Sequence, residues 1–462
     1  MLGNIASTIA NCFKIPELKS RIFFTLVVLV ICRLVAMIPI PGLDGQALAE
    51  YFKQLGESSE GTGILGMYSL FTGGALEKCA VGSLGIMPYI SATIIIQLLT
   101  AVMPRLAKLA REEGGRTKIV QYGRYGTILL CLGQGLVMAY GFENAGKIFQ
   151  GLDKDLVLYS DKWIWWYRIQ TVLILTCGTA LLMWLGEQIT ERGIGNGISL
   201  VITIGILARL PQAGQGLMDM FRVDPSTGER ASLIEFAFLA VVFVFVVAGI
   251  VAITQAQRKI PVQYAQRSVG RKVYAGGSSF MPLRVNYAGV MPIIFAQAIL
   301  MLPGQVLGFA GNAWDKRFLQ EAAVWFQYGK PFYIVSFALM ILFFSYFWVA
   351  TQFNEIQIAD DLKRNGGYIP GVRPGQATTD FLHRTMSRIT LSGAIFLVII
   401  ATAPMLMSNY LEISPAVAEF FGGTSLLIMV GVLLDTMRQM ESHLLMRHYD
   451  GFLKKGRIRG RF

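Results

Sequence analysis

Residues 70–91 read LFTGGALEKCAVGSLGIMPYIS, and the stretch joins two halves of opposite character. Before Ile86 it carries four glycines and the charged pair Glu77–Lys78; from Ile86 it is an apolar run that continues through Ile94–Ile96 to Met103. Lipid satisfies no backbone hydrogen bonds and rejects charge, so the first half has to be covered by protein or line a cavity. The second half recurs. GIMPYISA (85–92) and GVMPIIFA (289–296) agree at five of eight positions, and each opens a long apolar segment. Matching breaks at corresponding places in two halves of a chain point to an inverted repeat around a central pathway.

The rest of the sequence supplies the membrane context. Apolar residues make up 54% of the chain and charged residues only 15%, against about 25% charged in a soluble domain. Charge-free runs long enough to span a bilayer occupy Phe236–Thr254, Tyr287–Leu307, Phe332–Phe353 and Ile389–Met407. Phe23–Ile40 and Ile164–Leu185 qualify but for Arg33 and Arg168. The first run ends in IPIPGLDG rather than a small-residue cleavage site, so it reads as a retained helix. Cysteines 12, 32, 79, 131 and 177 are scattered, without metal or redox spacing, and are expected to be packing residues.

Ten spans are expected, centred near residues 31, 93, 133, 175, 203, 245, 297, 343, 398 and 430. With both termini cytoplasmic, about two-thirds of the 41 Lys and Arg fall on the cytoplasmic side, as the positive-inside rule requires. The fold class is therefore an all-α membrane protein of ten helices in two inverted halves of five. The expected boundaries are 1–21 for the N-terminal segment, 22–213 and 214–441 for the halves, and 442–462 for a basic tail. Within the halves, 65–78 lies before the second span, and cytoplasmic loops run over 255–286 and 354–389.

The net charge of +12 follows largely from this topology and from contact with anionic lipids. The loop QRKIPVQYAQRSVGRKVYAGGSSFMPLRVN (257–286) goes further, with Arg258, Lys259, Arg267, Arg271, Lys272 and Arg284 and no acidic residue. It is either a solvated basic loop or a docking surface for a polyanion such as ribosomal RNA or an acidic protein face. Valine, tyrosine and proline within it favour an ordered, protruding structure, and Pro370, Gly371 and Pro374 give the 354–389 loop rigid turn chemistry as well.

Ion and solute carriers place ionisable groups near the bilayer midplane. The candidates along this pathway are instead isoleucines: Ile86, Ile90, Ile194, Ile198, Ile294 and Ile428. The pairs 86/90 and 194/198 are each one helical turn apart and are expected to share a face. Singly, each is ordinary apolar packing; together they make a hydrophobic constriction that passes ions poorly and suits a wide, chemically indifferent cargo.

The motifs ERGIGNGISL (191–200), GGALEKCAVGSLGIMPYISATIIIQLL (73–99), GVRPGQAT (371–378) and FGGTSLLIMVGVLLD (421–435) resemble those of the SecY family, in order and over nearly the whole chain. ERGIGNGIS favours the bacterial branch over the archaeal and endoplasmic-reticulum relatives. The resemblance implies a clam-shaped bundle with a central hourglass channel that passes unfolded secretory polypeptides and releases hydrophobic helices sideways into lipid. It implies that the six isoleucines form the pore ring. The plug is carried over to Leu65, Gly66, Leu70, Phe71, Thr72, Gly73, Gly74, Ala75 and Leu76. The lateral gate falls to Ser91, Thr93, Gln97 and Gln297. Arg373 matches a position that couples to the SecA motor ATPase, and the 257–286 loop matches one that docks on the ribosome or SecA. The small membrane subunits SecE and SecG, signal sequences and nascent polypeptides are the further partners implied, with the bacterial inner membrane as location. Glu77 and Lys78 receive no role from either reading.

Energy has to come from a partner, because no GxxxxGK[ST] phosphate loop is present and no cofactor is indicated. Two other classes compete. A secondary transporter would recruit Arg33 and Arg168, for which snorkelling or local pairing is the plainer account. A membrane-embedded enzyme needs a buried nucleophile with a base or paired aspartates; His383, His443 and His448 fall in cytoplasmic segments, and Asp435 has no intramembrane aspartate partner.

Overall fold

The computed structural model describes residues 15–57, 69, 72–112, 114–144, 156–159, 163–211, 214–215, 233–264, 267–269, 272–274, 277–313, 316–326, 329–411 and 423–455. These form two compact units. One comprises Met1–Arg222, Gln305–Gln320 and Ile428–Phe462; the other comprises Val223–Gly304 and Glu321–Leu427.

In the first unit the helices are α1 (Pro16–Val35), α2 (Gly45–Glu57), α3 (Met87–Val102), α4 (Pro104–Arg111), α5 (Gly115–Glu143), α6 (Ile164–Arg192) and α7 (Gly197–Leu207). Helix α6 is the hub, with α1, α3, α5 and α7 packed on it. Its long apolar sequence has no one-sided periodicity, as expected for a helix that meets neighbours and lipid around its circumference. Trp163, Trp165 and Trp166 stand exposed at its start, where an aromatic belt sits at a bilayer interface. Pro104 opens α4 after Met103 takes an extended conformation, and the chain bends by 104° between α3 and α4. The short α4, PRLAKLAR, is amphipathic and basic.

Many hydroxyls and charges in this unit are satisfied locally. Thr25, Thr93, Thr100, Thr127, Thr176, Thr190 and Thr203 each donate to the carbonyl four residues earlier, which keeps a hydroxyl in an apolar helix hydrogen-bonded. Arg168 is paired: its Nε and Nη2 each meet a Glu143 carboxylate oxygen at 2.8 Å, and its guanidinium lies over Trp165 and Tyr140. Arg124 and Glu187 make a second two-point bridge between α5 and α6, at 2.9 and 2.8 Å.

The second unit contains α8 (Leu233–Gln255), strands β1 (Gln257–Tyr264), β2 (Arg267–Val269), β3 (Lys272–Tyr274) and β4 (Ser278–Arg284), most of α9 (Met291–Ala313), α11 (Pro331–Gln352), α12 (Glu355–Arg364), β5 (Gly367–Tyr368) and α13 (Gln376–Leu411). Helix α10 (Arg317–Trp325) lies across the division, and α14 (Thr424–Lys455) begins just before it. The basic loop, expected only as ordered, is a β-hairpin. β1 pairs antiparallel with β4 from Gln257–Arg284 to Gln263–Ser278, and β5 adds to β1 at Gln263 and Tyr264. Alternation sends Ile260, Val262 and Leu283 inward; Ile260 and Leu283 join Val349, Phe353, Ile369, Leu382, Met386 and Ile389 in one core cluster.

Among the described residues, Gly115–Glu143, Ile164–Arg192, Pro331–Arg364 and Gln376–Leu406 are long and apolar enough to cross a bilayer, and the bent α3–α4 pair makes a fifth. Gly197–Leu207, Ala240–Gln255 and Met291–Leu300 are shorter apolar helices. The span near 203 is short, with 11 residues in α7. The span near 430 differs: its apolar residues open a helix of 32 residues that runs on into polar sequence.

Candidate functional site

The two octapeptides fold alike. Gly85 and Gly289 both take left-handed φ, +59° and +63°, and a helix begins two residues later at Met87 and at Met291, with proline second. A left-handed residue reverses the chain at little cost only when it lacks a Cβ. Proline then fits the first helical turn, where no backbone donor is required. Ile86 caps α3, and Ile90 N donates to Ile86 O at 3.2 Å, so these two share a turn.

The second isoleucine pair does not share a turn. Ile194 precedes α7, whose N-cap is Asn196, and Gly195 between them has φ +91°. The spacing argument for 194/198 is therefore corrected: the glycines of GIGNG break the helix between them. Ile194 is buried against Leu18, with Ile15, Ile22, Met440 and Leu444 around them. Thr25 Oγ1 accepts from Ile194 N at 3.1 Å, and Gln439 Oε1 accepts from Gly195 N at 2.9 Å. Ile198 is half-buried on α7, while Ile294 on α9 and Ile428 on α14 are buried.

Of the segment expected to lie before the second span, Leu65, Gly66, Leu70 and Phe71 fall outside the described residues. Ser69 and Thr72–Gly85 form a compact series of turns. Gly74 N and Thr72 Oγ1 donate to Ser69 O, and Ala75 O accepts from Ala80 N and Ser83 Oγ. Ala75 and Leu76 are fully buried, and Ala75 clusters with Ala36 and Ala80. Beyond the turns, Ile40 N donates to Cys79 O and Val81 N to Ile38 O, which ties the joint to the end of α1. Cys79 is the one non-glycine with positive φ among the described residues.

Two arginines hold these turns. Arg33 Nη2 donates to Gly73 O at 3.1 Å. Arg209, just past α7, pairs with Glu77 and donates to Ser69 Oγ, while Ser69 donates to Glu77 Oε1 at 2.8 Å. Glu77, without a role in the sequence, is thus the carboxylate of a three-residue cluster. Lys78 is exposed.

The polar residues expected at a lateral gate are not all on one face. Thr93 and Gln97 are one turn apart on α3 and half-exposed; Ser91 is buried on another side. Gln297 is buried, and its Nε2 lies 3.5 Å from Thr424 Oγ1. Arg258, Lys259 and Arg284 are exposed on the hairpin, while Arg271 lies outside the described residues. Arg267 and Lys272 belong to β2 and β3. Arg373 is exposed in the turn after β5.

Long apolar helices, matched helix starts and a turn-rich segment docked beside one of them define a helical membrane protein. The sequence profile of the SecY family matches residues 80–437. The SecY translocase subunit of Chlamydia trachomatis is 41% identical over 461 residues, covering 98% of this chain and all of the relative. That of Escherichia coli K12 is 41% identical over 448 residues, covering 96% of each. A solved protein-conducting channel superposes with TM-score 0.61 at 16% identity, over 96% of this chain and 94% of that one. Sec61 from a canine ribosome–channel complex gives 0.57 at 15%, with the same coverage. The chain belongs to the SecY family: it is a membrane channel subunit for protein translocation, not an enzyme.

Proposed function

We propose that the chain forms the passive, gated pore of a bacterial inner-membrane translocase, with both termini cytoplasmic and ten spans in two inverted halves. Ile86, Ile90, Ile198, Ile294 and Ile428 would line the constriction; Ile194, packed beside Leu18, has the weakest claim. Residues 65–78 would act as the plug, and a solved SecY whose plug domain stabilises the closed state and maintains the membrane seal is a structural neighbour of this chain. Ser91, Thr93, Gln97 and Gln297 would border the lateral gate. The hairpin basic residues and Arg373 would dock the ribosome or SecA, with SecE and SecG beside the pore, anionic lipids around it, and signal sequences and nascent polypeptides as cargo.

The observation that supports this reading best is the continuity of the docked turns with α3. The segment that would close the pathway runs directly into the turn carrying Ile86 and Ile90. Lid and constriction are one stretch of chain. Site-specific crosslinking of a stalled secretory polypeptide tests it. Crosslinks are expected at Ile86, Ile90, Ile294 and Ile428 and not at the lipid-facing Leu129 or Leu173. Equal crosslinking at both sets would remove the pore assignment.

A further inference from the structure

We infer that Arg209 is the positioning residue that latches the turns 72–76 in the closed arrangement, acting through Glu77 and Ser69. The inference rests on reading this segment as the plug. Its geometry stands apart from that reading.

The segment is held at two points of different chemistry. Arg33 binds the backbone carbonyl of Gly73, a contact indifferent to the side chains of the segment. Arg209 binds side chains: the Glu77 carboxylate and the Ser69 hydroxyl, which also bind each other. All three groups are shielded, with Ser69 fully buried and the Arg209 and Glu77 side chains 16% and 17% exposed. Shielded charge-assisted hydrogen bonds are stronger than neutral ones, and a guanidinium has several donors in a fixed fork. The cluster joins Ser69 and Glu77, on either side of the turns, to the end of α7 beyond Ala208. Opening therefore requires separating a paired carboxylate and guanidinium. Glu77 supplies what the glycines and alanines of the segment lack, a side chain whose release can be switched.

The native Cys79, fully buried two residues beyond Glu77, reports on the joint. In the full-length chain in membrane vesicles, with Cys12, Cys32, Cys131 and Cys177 changed to alanine, maleimide labelling of Cys79 measures release. Glu77→Gln and Arg209→Gln are each expected to speed labelling by about tenfold or more, the shift that loss of a charged hydrogen bond gives an opening equilibrium. Arg209→Lys is expected to fall between, because an ammonium keeps the charge without the fork. Unchanged Cys79 rates in both glutamine variants overturn the latch. A second set of chains keeps Cys131, buried in α5, in place of Cys79. If Cys131 labelling accelerates alongside Cys79, the substitutions have loosened the unit as a whole, and the latch is again overturned. Resting ion conductance of the same variants in planar bilayers tests the plug reading separately. Fast Cys79 labelling with raised conductance supports both. Fast labelling with wild-type conductance supports the latch and assigns the resting seal to the isoleucine constriction rather than to this segment.

Discussion

Arg33, in the last turn of α1, donates to the carbonyl of Gly73, forty positions further along the chain, and Gly73 has no room for any side chain. A Cβ there would stand 2.4 Å from Arg33 Nη1 and 2.8 Å from the Gly205 Cα. The sequence Thr72-Gly73-Gly74 is thus cut to fit between an arginine and a glycine of α7. The arginine that a transporter would have used to hold a substrate instead holds the chain's own backbone.

Gly73→Ala is accordingly expected to displace the docked turns. The clash with Gly205 involves backbone, which cannot swing aside, and the left-handed φ of +64° adds roughly 1–2 kcal/mol for a residue with a Cβ. Labelling of Cys79 in membrane vesicles should rise, while Gly74→Ala, whose Cβ would approach only Glu77 Oε2 at 3.7 Å, should have the smaller effect. Equal labelling in Gly73→Ala and the unaltered chain would contradict this packing.

The Arg168–Glu143 bridge predicts a stability effect at the interfacial end of the α5–α6 hairpin. Glu143→Gln keeps the shape and removes the charge from a two-point contact, so Arg168 retains its rings but loses its carboxylate. A loss of about 1–3 kcal/mol is expected for a hydrogen-bonded charged pair of this kind. It should appear as a lowered midpoint of thermal unfolding in detergent. Arg168→Leu should also lower it, since Glu143 is then left unpaired. A midpoint unmoved by Glu143→Gln would make the bridge a surface pair without energetic weight.

What could be read from sequence follows the range of each signal. Apolar runs are local, and they gave the membrane class and the long helices. Gly-x-Met-Pro at 85–88 and 289–292 is local too, and both copies fold as left-handed glycine, cap and helix start. The Ile194/Ile198 spacing misled because helical periodicity was applied across Gly195, where the chain is not helical. The hairpin at 257–284 was legible only as rigidity, because Arg258 and Lys259 obscure the alternation that buries Ile260 and Val262. Helices α2 and α10 are short amphipathic segments between longer apolar stretches and gave no separate signal. Glu77 was unreadable for a different reason. Its partner Arg209 lies far along the chain, and pairing at that distance leaves no periodic trace.

A hydrophobic constriction predicts a leak when its side chains are removed. Replacing Ile86, Ile90, Ile198 and Ile294 together with glycine is expected to raise the resting ion conductance of the channel in planar bilayers, because water then wets the passage. Gly85 and the proline of each octapeptide are untouched by these changes, so the helix starts should survive. Conductance indistinguishable from the unaltered protein would rule out an isoleucine gasket.

Arg373 offers the last prediction, in which fold and function separate cleanly. The turn that bears it is fixed from both sides. Val372 N donates to Ile369 O at 3.0 Å, and Ile369 is buried in the core cluster with Ile260 and Leu283. On the other side Thr378 Oγ1 donates to the Arg373 carbonyl at 2.9 Å, and Thr378 N to Gly375 O. None of these bonds uses the guanidinium, which is exposed. Arg373→Glu should therefore leave expression, membrane insertion and the unfolding midpoint unchanged. If the side chain docks an acidic face of a motor, charge reversal puts like charges together and should slow motor-driven translocation by about tenfold or more. Arg373→Lys should fall between, and raised salt should narrow the difference between the variants as the charges are screened. Full translocation activity in Arg373→Glu at low salt would show that the exposed guanidinium has no part in coupling.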